Sequence, residues 1–249
     1  MSFGLTKHVR LGHATTMKQR PDLTLFDSKP SLQDAAALWL ETALQDALTR
    51  RGSAAFLGSG GSTPGPIYER LSQAPLDWHN IWVGLTDERW VAADHPASNG
   101  AMLQRTLLTG AAAQATYVPM KTAAEDPFDA VEEVDELYQD AALPDVVLLG
   151  MGPDAHTLSW FPDARGLSAA LDPDSLSTVA AIAAPQTEVT GPNMLRMTLT
   201  LPCIAYARKI LLLITGAEKK RVFETADSHT PIGQLCHAAG DALTVFYAE

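Results

Sequence analysis

Apolar residues recur along this chain in two alternating rhythms, which together predict a βα repeat. The helical rhythm is clearest at Leu32, Ala36, Trp39, Leu40, Ala43, Leu44, Ala47 and Leu48. These fall three and four residues apart and form one apolar stripe. Ser31 is placed to cap that helix, Asp34 to meet the positive end of its dipole, and Arg50-Arg51-Gly52 to end it. The other rhythm is the short continuous apolar run, at Ala54–Leu57, Ile81–Leu85, Val146–Leu149 and Ile210–Thr215. Such runs suit parallel strands covered on both faces. Shorter strands are predicted at Thr116–Met120, Ser177–Ala184, Met197–Leu201 and Leu243–Tyr247. Helices fill the gaps: one through Leu71, one capped by Ser98 or Asn99 and running to Leu108, an acidic amphipathic one over Pro127–Ala141, and one over Ala217–Thr225. Pro202–Arg208 reads as a helical turn.

Strands alternating with helices predict an α/β fold with an open, doubly wound, mostly parallel sheet. With no repeat, low-complexity tract or linker, residues 25–249 are expected to form a single domain. Residues 1–24 are expected to form a loosely ordered basic arm, with Lys7, Arg10, Lys18 and Arg20 and no acid before residue 21. In such sheets ligands gather at the C-terminal ends of strands.

Composition narrows the function. A net charge of −11 disfavours nonspecific nucleic-acid or anionic-membrane binding, and 46% hydrophobic with 19% charged residues fits a folded core. A few local donors still suffice to hold one phosphate. Cys203 and Cys236 form no C-x-x-C pattern and read as packing thiols of a cytoplasmic protein. No apolar run approaches the ~20 residues of a membrane helix, and no secretory signal is evident.

Four predicted strand-end loops carry chemistry. Gly58-Ser59-Gly60-Gly61-Ser62-Thr63-Pro64 joins a strand to a helix start and suits a phosphate, or merely turns the chain. It is neither a Walker A loop nor a dinucleotide fingerprint. Thr86-Asp87-Glu88-Arg89-Trp90 sets three charges after a buried strand. They either form an acid–arginine pair that fixes the loop, or Asp87 or Arg89 meets a substrate. Gly150-Met151-Gly152-Pro153-Asp154-Ala155-His156 presents a carboxylate and an imidazole, a pairing suited to a general base or to capping the next turn. Thr215-Gly216-Ala217-Glu218-Lys219-Lys220 puts Lys219 in a first helical turn, where it opposes the dipole unless an anion or solvent compensates. Among seven histidines there is no H-x-H or H-E-x-x-H metal pattern, and no G-x-S-x-G elbow points to a covalent serine. His8, His13, His79, His229 and His237 read as surface or packing residues.

At these residues the sequence resembles the 6-phosphogluconolactonase family, from about residue 25 to the end. The resemblance rests on "GSGGSTPGPIYERL", "TDERWVAADHPASNGAMLQRTLL", "DVVLLGMGPDAHTLSWFP" and "RMTLTLPCIAYARKILLLITGAEKKRVF", in the family's order. It implies a Rossmann-like sheet and hydrolysis of 6-phospho-D-glucono-1,5-lactone to 6-phosphogluconate, without metal or organic cofactor, by a cytoplasmic monomer or weak dimer. His156 would activate the water, and Asp154 would hold the imidazole or a substrate hydroxyl. Gly60, Gly61, Ser62, Thr63 and Lys219 would hold the phosphate, with Arg196 reaching it too. Asp87 joins the substrate-binding set. Arg89 would bind phosphate, stabilise the oxyanion or pair with an acid; the sequence leaves these open.

The family's motif has glycine where this chain has Ala155. The expectation is a negative φ at Ala155, where alanine is harmless; a positive φ would strain the backbone and shift His156. Glucosamine-6-phosphate isomerase/deaminase chemistry is the main alternative. It is disfavoured because Thr157–Pro162 holds no carboxylate after the histidine. A non-catalytic sugar-phosphate sensor is the other.

Overall fold

The computed structural model describes residues 21–139 and 143–249. The basic arm expected at the N-terminus lies, through residue 20, outside them. The described chain runs β1 (Leu23–Phe26), α1 (Lys29–Arg51), β2 (Ala54–Gly58), α2 (Pro64–Leu71), β3 (Ile81–Leu85), β4 (Asp87–Arg89), α3 (Asn99–Thr106), β5 (Thr116–Tyr117) and α4 (Val131–Tyr138). It continues with β6 (Val146–Gly150), α5 (Leu167–Ala170), β7 (Val179–Ala183), β8 (Leu195–Leu199), α6 (Leu201–Ala205), β9 (Lys209–Thr215), α7 (Ala217–Thr225), α8 (Pro231–Ala239) and β10 (Leu243–Ala248).

Seven strands pair in parallel in the order β1-β10-β9-β6-β2-β3-β5. From β2 the chain winds outward to β3 and β5, then returns to β6 on the other side and winds to β9 and β10. That reversal makes β2/β6 the switch point. Right-handed crossovers put helices on opposite faces to either side of such a point. Accordingly α1 packs on α2 and α2 on α3, while α6 packs on α8. The strands at the centre are buried along their length, and Phe56, Leu57, Val146 to Leu149 and Ile210 to Leu212 are fully inaccessible. These continuous apolar runs are what two covered faces require.

The structure corrects several local expectations. α1 starts at Lys29, not after Ser31: Ser28 is the N-cap, and Ser28 and Ser31 form a reciprocal capping box with Pro30 in the first turn. Asp34 therefore lies beyond the dipole's reach and pairs instead with Arg70 at 2.7 Å. The helix expected over Pro127–Ala141 is a 3-10 turn, Pro127–Asp129, followed by α4; residues 140–142 lie outside the described chain. The strands expected at Ser177–Ala184 and Met197–Leu201 do not join the parallel sheet. They pair antiparallel with each other as β7 and β8, and β4 adds to β8. Thus Thr86–Trp90 is not a simple loop. β1 and α8 carry no expected counterpart. No described helix is long and apolar enough to cross a membrane.

Candidate active site

Strands β9, β6, β2 and β3 are consecutive in the sheet, so the four chemistry-bearing segments share one edge at the switch point. They enclose a cleft of about 260 Å³. Gly60, Gly61, Ser62, Thr63, Asp87, Arg89, His156, Arg196 and Lys219 all line it. Asp154 does not; it stands behind His156.

The segment after β2 is held from two sides. Tyr68 OH donates to the Ser59 carbonyl at 2.7 Å, and Gln33 Nε2 donates to the Thr63 carbonyl at 3.0 Å. Gly61 has φ +107°, a conformation closed to most side chains. Pro64 then opens α2 and lines the cleft beside Ser62 and Thr63; Pro64 and Pro66 carry no N–H, so the first helical turn leaves few free amides.

β4 resolves its three charges separately, and no acid–arginine pair forms. Glu88 is buried and its carboxylate accepts from Arg89 N (2.7 Å), Ser98 Oγ, Asn99 N and Gly100 N (each 2.8 Å). It caps the start of α3. Burial pushes its carboxyl up, against these four hydrogen bonds. Asp87 Oδ2 accepts from Ser159 Oγ at 2.6 Å, and its carbonyl accepts from Asn99 Nδ2 at 2.8 Å. Arg89 Nη1 donates to the Ala97 carbonyl at 2.6 Å, while its buried Nε has no partner.

Register places Arg89 directly opposite Arg196 on β8. Like charges in that relation repel. Arg196 is 4% exposed and donates from Nε to the Asn193 carbonyl (2.6 Å) and from Nη2 to the Thr190 carbonyl (3.1 Å). Burial lowers its pKa to about 10, and Arg89 adds to that fall while Asp87 opposes it.

After β6 the chain turns back on itself. Met151 and Thr157 form a bridge, Gly152 N donates to the His156 carbonyl (2.9 Å), and Ala155 N to the Gly152 carbonyl (3.3 Å). This is a three-residue loop, Pro153-Asp154-Ala155, whose last position is left-handed. Ala155 accordingly has φ +66°. The expected negative φ is overturned: the turn imposes the angle, and the Ala155 carbonyl is held there by Ile232 N at 3.2 Å, at the start of α8. Leu158 (φ +52°) and Asp163 (φ +60°) share the left-handed region. Among the described residues every non-glycine with positive φ lies in this segment, the usual company of a functional loop.

The loop delivers His156 with its Nδ1 2.5 Å from Asp154 Oδ1. A Cβ on Gly152 would come within 2.2 Å of the His156 ring, so this pair needs glycine there. Burial raises the Asp154 carboxyl, but the hydrogen bond and charge of His156 outweigh it and hold the group below its usual range. An ionised carboxylate only accepts, so Nδ1 carries a proton in either charge state of the ring, and in the neutral imidazole it is Nε2 that holds the free lone pair. The ring packs on Phe161, centroids 4.3 Å apart, and the Arg196 guanidinium lies 5.3 Å from the centroid of the same Phe161 ring.

Lys219 is the third residue of α7, behind the N-cap Gly216. It has no ion-pair partner among the described residues. Burial lowers its pKa, Lys29 lowers it further, and Asp154 and Glu218 oppose. Sequence reasoning missed Asn99, Phe161, Val189 and Thr215, which also line the cleft. Of the two residues that suit the N-cap of α3, Ser98 takes it, and the Asn99 side chain binds the Asp87 carbonyl instead. His79, His229 and His237 are exposed, and Cys203 is buried with its thiol pushed up to about 12 by desolvation. Among the described residues no three His, Cys, Asp or Glu side chains converge where a metal ion would sit.

The parallel α/β sheet thus gathers Arg89, Arg196, Lys219 and a histidine–carboxylate pair around one cleft at its switch point. The chain belongs to the glucosamine-6-phosphate isomerase/6-phosphogluconolactonase family, whose model matches residues 27–242. The 6-phosphogluconolactonase of Caulobacter vibrioides is 36% identical over 91% of this chain and 97% of its own length. That of Neisseria meningitidis serogroup A is 38% identical, covering 90% of this chain and 95% of its own. The crystal structure of a 6-phosphogluconolactonase from Shewanella baltica superimposes with a TM-score of 0.85 at 32% identity, over 94% of this chain and 100% of that one.

Proposed function

We propose that the protein is a 6-phosphogluconolactonase, which hydrolyses 6-phospho-D-glucono-1,5-lactone to 6-phosphogluconate in the oxidative pentose phosphate pathway. The family membership supports the reaction class. The observation that carries the chemistry is the His156–Asp154 pair in a cleft lined by Arg89, Arg196 and Lys219.

In this reading Nε2 of His156 takes a proton from water as the water oxygen attacks the lactone carbonyl carbon. The tetrahedral intermediate collapses by breaking the bond to the ring oxygen, and His156 returns the proton to that oxygen. One water is consumed and the ring opens to a carboxylic acid, which ionises. Asp154 fixes the tautomer and steadies the imidazolium between the two transfers. The Gly60–Thr63 segment, Lys219 and Arg196 bind the phosphate, and Arg89 faces the negative charge of phosphate or oxyanion. Asp87 accepts from a sugar hydroxyl. No carboxylate follows His156 before Asp163, and Ser159 is committed to Asp87, which leaves ring-opening isomerisation without a second acid.

The test is a coupled or pH-stat assay with freshly made lactone, with spontaneous hydrolysis subtracted. Turnover above that background is expected. Ammonia release from glucosamine 6-phosphate, or phosphosugar binding with no acceleration, would replace this reading with one of its rivals.

A further inference from the structure

We infer that the hydroxyl of Ser59 donates a hydrogen bond directly to an oxygen of the bound phosphosugar, a contact beyond the set above. The inference rests on the proposed phosphosugar site. Ser59 is 6% exposed, lines the cleft, and has a buried Oγ with no hydrogen-bond partner. Among the described residues three buried side-chain polar atoms share that condition: Ser59 Oγ, Arg89 Nε and Asp145 Oδ1. Asp145 Oδ1 lies 3.5 Å from Arg208 Nε, near the start of β6, so it has a charge partner. The other two line the one cleft. A buried hydroxyl is destabilising when unpaired, and alanine would serve better if packing were the only demand.

The backbone of Ser59 is held in place. Its carbonyl is fixed by Tyr68 OH at 2.7 Å, and it follows β2, which is clamped in register between β3 and β6. The residue thus sits between the segment carrying Asp87 and Arg89 and the segment carrying His156. In the inferred contact the hydroxyl turns on this held backbone toward a ligand spanning that gap. Its acceptor is a ring, hydroxyl or carbonyl oxygen of the sugar, or an oxygen of the phosphate.

The experiment compares wild type with Ser59→Ala and Ser59→Cys in three measurements: thermal midpoint without ligand, lactone kinetics, and calorimetric binding of 6-phosphogluconate and of inorganic phosphate. The expected result is an unliganded midpoint equal to or above wild type, with kcat/KM and 6-phosphogluconate affinity each lowered about tenfold. A matching loss for inorganic phosphate assigns the contact to the phosphate; an unchanged phosphate affinity assigns it to the sugar. A lowered midpoint with unchanged affinity for both ligands would make the hydroxyl structural and overturn the inference, as would no change anywhere. Because calorimetry needs no turnover, a wild type that binds 6-phosphogluconate but leaves the lactone alone would sink the hydrolase reading and not this contact.

Discussion

The hydroxyl of Ser159 donates to Oδ2 of Asp87 at 2.6 Å and so ties the loop that carries His156 to the strand that carries Arg89. Both residues are buried, at 0% and 6% exposure. Ser159→Ala strands a buried carboxylate oxygen, which costs roughly 1–3 kcal/mol. It also loosens the aim of Asp87 relative to His156. Expected are a lower thermal midpoint and kcat/KM for the lactone reduced about tenfold, since small misplacements weaken positioning strongly. Full activity in a destabilised variant would show that the link serves folding alone.

Ala155 holds a left-handed angle because the three-residue turn demands it. A left-handed non-glycine residue costs about 1–2 kcal/mol, so Ala155→Gly releases strain, partly offset by the freer unfolded chain of glycine. A midpoint higher by about 2 °C is expected in calorimetry, with turnover retained. Ala155→Val should do the reverse, because a β-branched side chain fits that angle worst. If Ala155→Gly lowered the midpoint, the strain account would fail.

This turn also shows how far the chain could be read in advance. Gly152-Pro153-Asp154 is turn chemistry, with proline suited to the second position, and it implies a left-handed residue next. The side chains of Asp154 and His156 advertise chemistry, whereas the angle at Ala155 follows from the turn as a whole. The four loops were legible because each follows an apolar run whose rhythm survives in the sequence. Arg89 opposite Arg196 was not, since register between β4 and β8 arises only when two segments more than a hundred residues apart pair. Likewise β4 was hidden by its charges, for strands are recognised by apolar alternation and Asp87-Glu88-Arg89 has none. The role of Glu88 as the cap of α3 needs the folded backbone to bring the amides of Asn99 and Gly100 to it.

His156→Ala should reduce kcat by about 10²–10⁴, while affinity for 6-phosphogluconate changes little, because in the proposed site Lys219, Arg196 and the Gly60–Thr63 segment hold the phosphate. Stopped-time assays with the spontaneous rate subtracted, paired with calorimetry, separate the two. Undiminished turnover would remove His156 from the base role.

Asp154 gives the fold a pH dependence of known sign. Its carboxyl is held below its unfolded value, taken as about 3.9, so its bond to His156 stabilises the fold at pH above that value. The contribution is lost as pH falls through the lowered folded pKa. Asp154→Asn removes it. Thermal midpoints of wild type and variant should therefore differ most near neutrality and converge below about pH 4. A gap that stays constant across pH 3 to 7 would mean that the variant loses packing and not charge.

Lys219 is desolvated beside Lys29, and Arg196 faces Arg89, so positive charges crowd at the cleft and are opposed in part by the carboxylates of Asp87 and Asp154. The lowered pKa of Lys219 means that its charged form is disfavoured in the fold, so stability tied to it falls as pH drops from the ordinary lysine value, about 10.4, to the lowered one, and the full penalty is present below that. Lys219→Met should therefore raise the unliganded midpoint at neutral pH. An anion reverses the balance: binding to the native state alone stabilises by RT ln(1 + [L]/Kd). Inorganic phosphate should raise the wild-type midpoint in a saturable way, beyond chloride at equal ionic strength, and raise that of Lys219→Met much less. In kinetics the same variant should show a KM increased about tenfold or more, the loss of one charged hydrogen bond, with kcat changed less. A phosphate response equal in both proteins, together with an unchanged KM, would remove Lys219 from the phosphate site.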